Sequence, residues 1–483
     1  MNAAPANRQA LGAARGEADR SGVAARAAVL ALLVAAPLAF GSVHAVAYVP
    51  LLVVASLAGA AAHARAMRRR RAGLPEPPLP AGRLLLAFHA LVLLQLVPVP
   101  PGLLRVLSPG TAAFHDRLAL VPSGAWRPVS VSPPDTLRGL LFLAGMSLLY
   151  VAAFRLFRDG AHRRRLASAV ALTALTAAVA AFAQAASGEP KIYGLWRPVH
   201  DWAVFGPYVN RNHFAGLMVM AIPLSIGLAL EAVSGLRRAW SRRRWLAIGD
   251  ADGNAAVRHL AVSAALVTGL LASRSRGGLV AFAVCAIALP LASRRRASAA
   301  AVAAVAAGLA VLWVGVEGIM RGFEVRGLGP SRFALWADAA RMLPDFPVFG
   351  SGLNAFGTAY RPYQTFWPYL FVGEAHNEYL QVLLDTGLAG SALAAAILAT
   401  LLAAAARGAR SSALGGGVFA ALLGECVHNV VEFNWQIPAN AATFAALAGL
   451  AAGRHRATEE AGHPRTPGRR SDTDDRFGGA AGQ

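Results

Sequence analysis

Three groups of residues in this chain have side chains suited to chemistry, and each sits where an otherwise apolar sequence changes character. The stretch "GEAHNEYLQVLLDTGLAG" (373–390) sets His376, Asn377 and Glu378 at the head of an apolar run. "NRNHFAG" (210–216) and "SRSRGG" (273–278) place Arg211, Arg274 and Arg276 at the ends of others. "ECVHNVVEFNWQIP" (425–438) gathers Glu425, His428, Asn429, Glu432 and Asn434. An imidazole titrates near neutrality and can accept a proton from a reacting hydroxyl. A guanidinium offers a planar fork that matches phosphate oxygens. Together these types allow an anion grip beside a proton acceptor.

Each group also has a plainer reading. Arginines near helix ends can snorkel to lipid phosphates. Asn377 reads as an N-cap, with Glu378 favourable in the first turn, but capping gives no reason for His376. Glu378 could also orient the imidazole. Glu425, His428, Asn429 and Glu432 fall on one face of a helix, where interhelical polar contacts are the ordinary role.

The elements that must position these residues are membrane helices. The 483-residue chain is 56% hydrophobic, its mean hydropathy is +0.47, and apolar runs of about 20 residues recur throughout. The formal charge of +21 comes from Arg clusters between runs: 65–71, 155–165, 237–244, 293–296, 407–410 and 454–456. Every second connection carries one, which is the pattern of cytoplasmic loops, so the basic balance reports topology rather than nucleic-acid binding. Arg211, Arg274 and Arg276 then fall on the outer face, against the insertion bias, where ionisable groups are usually functional.

Runs and clusters predict twelve helices with both termini cytoplasmic: 23–41, 45–63, 82–98, 135–154, 166–186, 212–232, 256–273, 277–293, 298–316, 376–405, 413–432 and 436–453. The stretch 27–40 followed by "SVHA" has the look of a signal peptide. A second apolar run follows at once, which favours a retained helix. Residues 1–22 and 454–483 are polar and Gly/Pro-rich, and are expected to be disordered. Three outer loops are long: 99–134, 187–212 and 317–375. The last two are rich in aromatics suited to an interface. Residues 331–343 read as an amphipathic surface helix that would bury Phe333, Leu335, Trp336 and Met342.

Other chemistries lack their residues. Cys285 and Cys426 both lie in apolar runs, with no disulfide or metal spacing. Lys191, the only lysine, follows Pro190, so no Walker A motif exists. The pairs Asp250/Asp252 and Asp472/Asp474 lie in polar segments of the expected cytoplasmic side, and the first outer loop has no carboxylate. Neither a metal nor another cofactor is expected.

The motifs "GPYVNRNHFAG" (206–216), "SRSRGG" (273–278), "FGSGLNAF" (349–356) and His376-Asn377 with Gly387-Leu388-Ala389-Gly390 resemble the O-antigen ligase and O-antigen polymerase family of bacterial inner-membrane glycosyltransferases. The similarity runs from about Trp196 to Ala405 and extends to "FNWQIPAN" (433–440). It implies an all-α, polytopic fold of the glycosyltransferase C-like kind, with N-terminal helices over 23–195, a core over 196–405 and further helices over 406–453. The core holds a long periplasmic loop, 317–375, carrying short amphipathic helices. The resemblance also implies a donor glycan on undecaprenyl diphosphate, a glycan or lipid A-core-type acceptor, and a site facing the periplasm. The family's outer-face arginines match Arg211 and Arg276, with Arg274 adjacent. Its essential histidine matches His376 and is thought to assist the acceptor hydroxyl. Asn210, Asn377, Glu378, Arg332 and His428 are expected in supporting positions. Attack opposite a held diphosphate predicts inversion, without metal or ATP. The motifs separate ligase from polymerase poorly, and protein O-glycosylation is a third possibility within the class. A flippase or transporter would instead show broken helices and charges near the midplane.

Overall fold

A computed structural model describes residues 5–118, 124–198, 204–240, 251–292, 332–366 and 369–453. The longer helices are α1 (Pro5–Leu38), α2 (Ala45–Arg71), α3 (Gly82–Gln95), α6 (Pro133–Leu156), α7 (Gly160–Ser187), α8 (Arg211–Trp240), α9 (Ala251–Ser273), α10 (Arg276–Ala292), α13 (Glu378–Ala409), α14 (Ala413–His428) and α15 (Pro438–Ala452). Short helices α4 (Pro101–Leu107), α5 (Pro109–Leu118), α11 (Arg332–Ala340) and α12 (Phe356–Tyr360) lie in the connections. A two-residue antiparallel pair, β1 (Pro98–Val99) with β2 (Arg127–Pro128), is the only sheet among the described residues. The protein is an all-α polytopic membrane protein. Seven described helices are long and apolar enough to cross a bilayer, and α3, α10, α14 and α15 are shorter apolar ones.

Every expected span except 298–316 falls on one of these helices. That span, residues 317–331 of the third long loop and the tail 454–483 lie outside the described residues. Local chemistry sets several boundaries. The Asp159 carboxylate caps α7 by accepting from the His162 amide at 2.7 Å, and Gly188, at φ +70°, closes it. Ser412 caps α14 through the Gly415 amide at 2.9 Å. α1 is helical from Pro5, within the stretch 1–22 expected to be disordered.

The centre of the bundle is α8, where Leu217–Leu224 is buried on all sides. Small residues let helices approach it and one another, as is usual where lipid gives no hydrophobic drive between helices. A Cβ on Gly417 of α14 would stand 2.3 Å from the Pro223 carbonyl oxygen of α8. One on Gly59 of α2 would stand 2.4 Å from the Leu148 carbonyl oxygen of α6.

The connection that leads into α13 is structured. Leu335, Ala339, Met342, Phe346, Phe356, Tyr360, Ala375 and Leu384 pack with Val131 into a second apolar core. Leu335 and Met342 are buried as expected, but Phe333 is exposed and Trp336 half-buried. The inner face of α11 is therefore covered by protein. The Asp338 carboxylate beneath it accepts from the Tyr360 hydroxyl at 3.2 Å and the Thr365 amide at 2.8 Å.

The expected unbroken helix 376–405 is interrupted. Gly387 takes φ +63°, ψ −169°, a conformation open essentially to glycine alone. The interruption receives the segment 347–352. The Leu388 and Ala389 amides donate to the Pro347 and Val348 carbonyls at 2.9 and 3.1 Å. The Ser351 and Gly352 amides donate to the Leu384 and Asp385 carbonyls at 2.8 and 3.0 Å. Gln95, at the end of α3, donates to the Phe349 and Asp385 carbonyls at 2.6 and 2.8 Å and accepts from the Leu353 amide at 3.0 Å. The polar groups freed by the break are thus satisfied by protein, as apolar surroundings demand. This also explains why "FGSGLNAF" and "GLAG" occur in one chain: they are the two halves of one joint.

A Cβ at Gly387 would lie 2.3 Å from the Val348 carbonyl. Gly387→Ala is expected to destabilise the protein by at least about 2 kcal/mol. Gly102→Ala, where nothing lies within 4 Å, should stay within about 0.5 kcal/mol of wild type. Thermal unfolding in detergent compares the two, and equal melting would contradict the joint.

Candidate active site

The predicted site residues meet at one end of the bundle. Asn377 caps α13, its side-chain oxygen accepting from the Tyr379 and Leu380 amides at 3.1 Å each. The Glu378 amide donates to the Asn429 carbonyl at 3.0 Å, tying this helix start to the turn after α14. One turn further in, Gln381 accepts from the Ala375 amide at 2.8 Å and donates to Glu374. Between these anchors His376 is held at φ +52°, a left-handed conformation that costs a residue with a side chain about 1–2 kcal/mol. Its ring packs edge-on against Phe433, centroids 4.8 Å apart, and His213 meets the same ring at 4.6 Å.

The carboxylate facing the imidazole is Glu432. Its Oε2 lies 3.8 Å from His376 Nδ1, and neither atom has a hydrogen bond. Its Oε1 accepts from Asn212 Nδ2 at 2.6 Å and pairs with the Arg332 guanidinium, which also donates to the Val431 carbonyl. Burial by itself would raise the Glu432 carboxyl, but the Arg332 charge and then His376 outweigh it and hold it below the ordinary range. The 3.8 Å gap is too long for a hydrogen bond, and small enough for a substrate-induced shift to close.

Two expectations are corrected here. Glu378 does not orient the imidazole: it is buried and its Oε1 accepts from Gln436 Nε2 at 2.9 Å. Glu432 does not share a helical face with Glu425, because α14 ends at His428 and the chain turns over 429–433. Below the turn a buried polar network holds its shape. Asn434 receives His213 Nδ1 at 3.0 Å, lies 3.1 Å from His428 Nδ1, and is joined by Asn440 at 3.1 Å. Tyr208 donates to Asn440 at 3.0 Å. Glu374, just before His376, has its carboxyl pushed up to about 7 by burial, against the lowering hydrogen bond from Gln381.

The arginines border this centre. Arg211 opens α8 beside Asn212, which touches Glu432. Arg276 opens α10 beside Gly277, where a Cβ would lie 3.1 Å from the His428 ring. Arg274 sits in the tight turn between α9 and α10 at φ +54°. All three are exposed, and Arg274 and Arg276 lie close enough to act on the Arg211 charge. Among the described residues none of the three has a carboxylate partner. Of the supporting residues, Asn210 caps α8 by accepting from the Asn212 amide at 2.9 Å, and Arg332 is engaged with Glu432.

Sequence reasoning gave no role at His376 to Glu432, Asn212 or Phe433. The available signal was the lone polar run 425–438 and the asparagines flanking Arg211.

Residues 261–395 match the family model described as O-antigen ligase, which agrees with the resemblance read from the motifs. The matched stretch contains Arg274, Arg276, Arg332 and His376. Arg211 and Glu432 lie outside it. No curated protein matches the chain.

Because Glu432 is held below its ordinary value, its contribution to stability is complete above the unfolded-state pKa of about 4.3 and is lost only as pH falls through the lower folded value. Glu432→Gln should therefore be less stable than wild type at pH 7, by on the order of 1–3 kcal/mol. The difference should shrink below about pH 4. Melting curves over this range test the pairing, and a difference independent of pH would contradict it.

Proposed function

From its O-antigen ligase-type domain and the cationic mouth around His376, we propose that this membrane protein transfers a glycan from undecaprenyl diphosphate to an acceptor hydroxyl at the periplasmic face. The observation that carries the reading is the set of three guanidiniums, Arg211, Arg274 and Arg276, near one another and, among the described residues, without a carboxylate partner, with Arg211 next in sequence to the Asn212 that donates to the Glu432 facing His376. Three like charges brought near one another attract an anion, and a diphosphate would supply it.

The chemistry follows from the side chains. The bond from the anomeric carbon to the diphosphate oxygen breaks, and a bond from that carbon to the acceptor oxygen forms. Arg211 and Arg276, with Arg274 adjacent, hold the charge that develops on the departing undecaprenyl diphosphate, where low dielectric makes electrostatics count for more. The acceptor proton passes to His376. Glu432, kept ionised by Arg332 and Asn212, faces Nδ1 and favours the tautomer with its proton there. That leaves Nε2 free to accept, and the resulting imidazolium is stabilised by the same carboxylate. Attack opposite the leaving group inverts the anomeric centre. The acceptor proposed is a glycan or lipid A-core-type hydroxyl, as in a ligase.

Purified protein given an undecaprenyl-diphosphate glycan and candidate acceptors tests the reading. His376→Ala should lower transfer by about 10²–10⁴-fold at matched folding, and wild-type rates would remove the base. Arg276→Lys keeps the charge and loses the fork, so a partial loss is expected and full activity would reduce the site to simple charge. Chain extension of the lipid-linked donor, in place of transfer to a lipid A-core-type acceptor, would make the enzyme a polymerase. Cysteines at 211, 276 and 376 should label from the periplasm, and labelling from the cytoplasm alone would overturn the orientation.

A further inference from the structure

The opposite end of the bundle holds a second concentration of charge, separated from the His376 end by the length of α7. That helix has 28 residues, or about 42 Å at 1.5 Å per residue. Here α1, α2, α6 and the start of α7 surround a half-open cavity of about 140 Å³, lined by Arg26, Arg65, Arg69, Arg155 and Arg158 with Glu76 and Asp159.

Glu76 comes from the connection between α2 and α3 and reaches in as the hub. Its Oε1 lies 2.6 Å from Arg69, and its Oε2 lies 3.2 Å from Arg155 and 2.8 Å from Arg158. One carboxylate thus serves three guanidiniums. Asp159, the other acid, is committed to capping α7 and to His162. Among the described residues, and leaving Arg65 aside because it has a further interaction of its own, four arginines face two carboxylates, a formal excess of two positive charges. Arg155 gives a second, independent sign of an absent partner. Its side chain is 7% exposed, and its Nε is buried without a hydrogen bond. Unpaired buried donors of this kind are costly and are normally satisfied.

We infer that this cavity binds a phosphate-bearing anion, with the phosphodiester headgroup of an anionic membrane lipid as its occupant. The apolar lining of Ala62, Ala66 and Leu156 gives the cavity a greasy wall beside its cationic one. Exposed Val23 lies one turn from Arg26, and exposed Leu57 lies two turns from Arg65. Acyl chains can follow these lipid-facing surfaces away from a headgroup seated among the arginines. Basic pockets between membrane helices hold acidic headgroups on this principle. The bound phosphate would complete the charge balance that Glu76 leaves unfinished and would join α1, α2 and α6. The inference does not depend on the reaction at His376.

The test uses the full-length protein in zwitterionic phosphatidylcholine nanodiscs, read by thermal melting. Three additions are compared: phosphatidylglycerol in the disc, inorganic phosphate in the buffer, and further phosphatidylcholine. Melting should rise with phosphatidylglycerol and not with phosphatidylcholine. Half-saturation should require at least tenfold more phosphatidylglycerol in Arg158→Gln. Arg26→Gln, which breaks no bond to Glu76, should show the same direction and remains informative where Arg158→Gln folds poorly. An equal rise with inorganic phosphate would support the anion site and assign it to a soluble phosphate. No rise in either arm, or an unchanged response in Arg26→Gln, would overturn the proposal.

Discussion

The arrangement around His376 depends on one buried carboxylate. Glu432 links two parts of the chain that are remote in sequence, α8 through Asn212 and α11 through Arg332, and faces a third, the turn before α13, at His376. A lone carboxylate at this depth would protonate, because burial raises its pKa. The Arg332 charge prevents that, so the anion and its cation must arrive together. Placing Arg332 requires α11, and α11 in turn requires the outer core packed on Val131, Phe356 and Tyr360. The catalytic geometry proposed here is therefore only as good as the fold of the outer connections.

The second constraint is the joint between 347–352 and the interruption at Gly387. An unbroken membrane helix satisfies its own backbone, whereas a broken one needs partners. This chain supplies them from Gln95 and from a glycine-containing segment that lies against the opening. Helix interruption is a device that transporters also use, but here it lies in the N-terminal part of α13 and is filled by protein backbone. The joint positions the outer core above the bundle and fixes the helix that His376 precedes.

Charge is handled differently at the two ends. At the His376 end the acids are buried, Glu432 paired with Arg332 and Glu378 held by Gln436 while both Glu425 oxygens lack a hydrogen bond, and the three arginines stand free of carboxylates among the described residues. At the arginine-rich end the acid is a minority partner, and Glu76 is shared among Arg69, Arg155 and Arg158.

The sequence alone determined the membrane class, the helix rhythm and the residues at the helix mouths. Burying a 20-residue apolar run is a sum over consecutive residues, and an N-cap such as Asn377 acts within one turn, so both are legible locally. His376 and the arginines stood out because their types oppose their surroundings. Tertiary structure decided which acid faces the imidazole. Glu378 is two residues from His376, yet its side chain turns inward to Gln436, while Glu432 arrives from 56 positions away because α14 stops at His428. The break at Gly387 and the burial of α11 against protein were hidden for the same reason. Each depends on groups that meet only when distant segments pack, and no periodicity within a single segment records them.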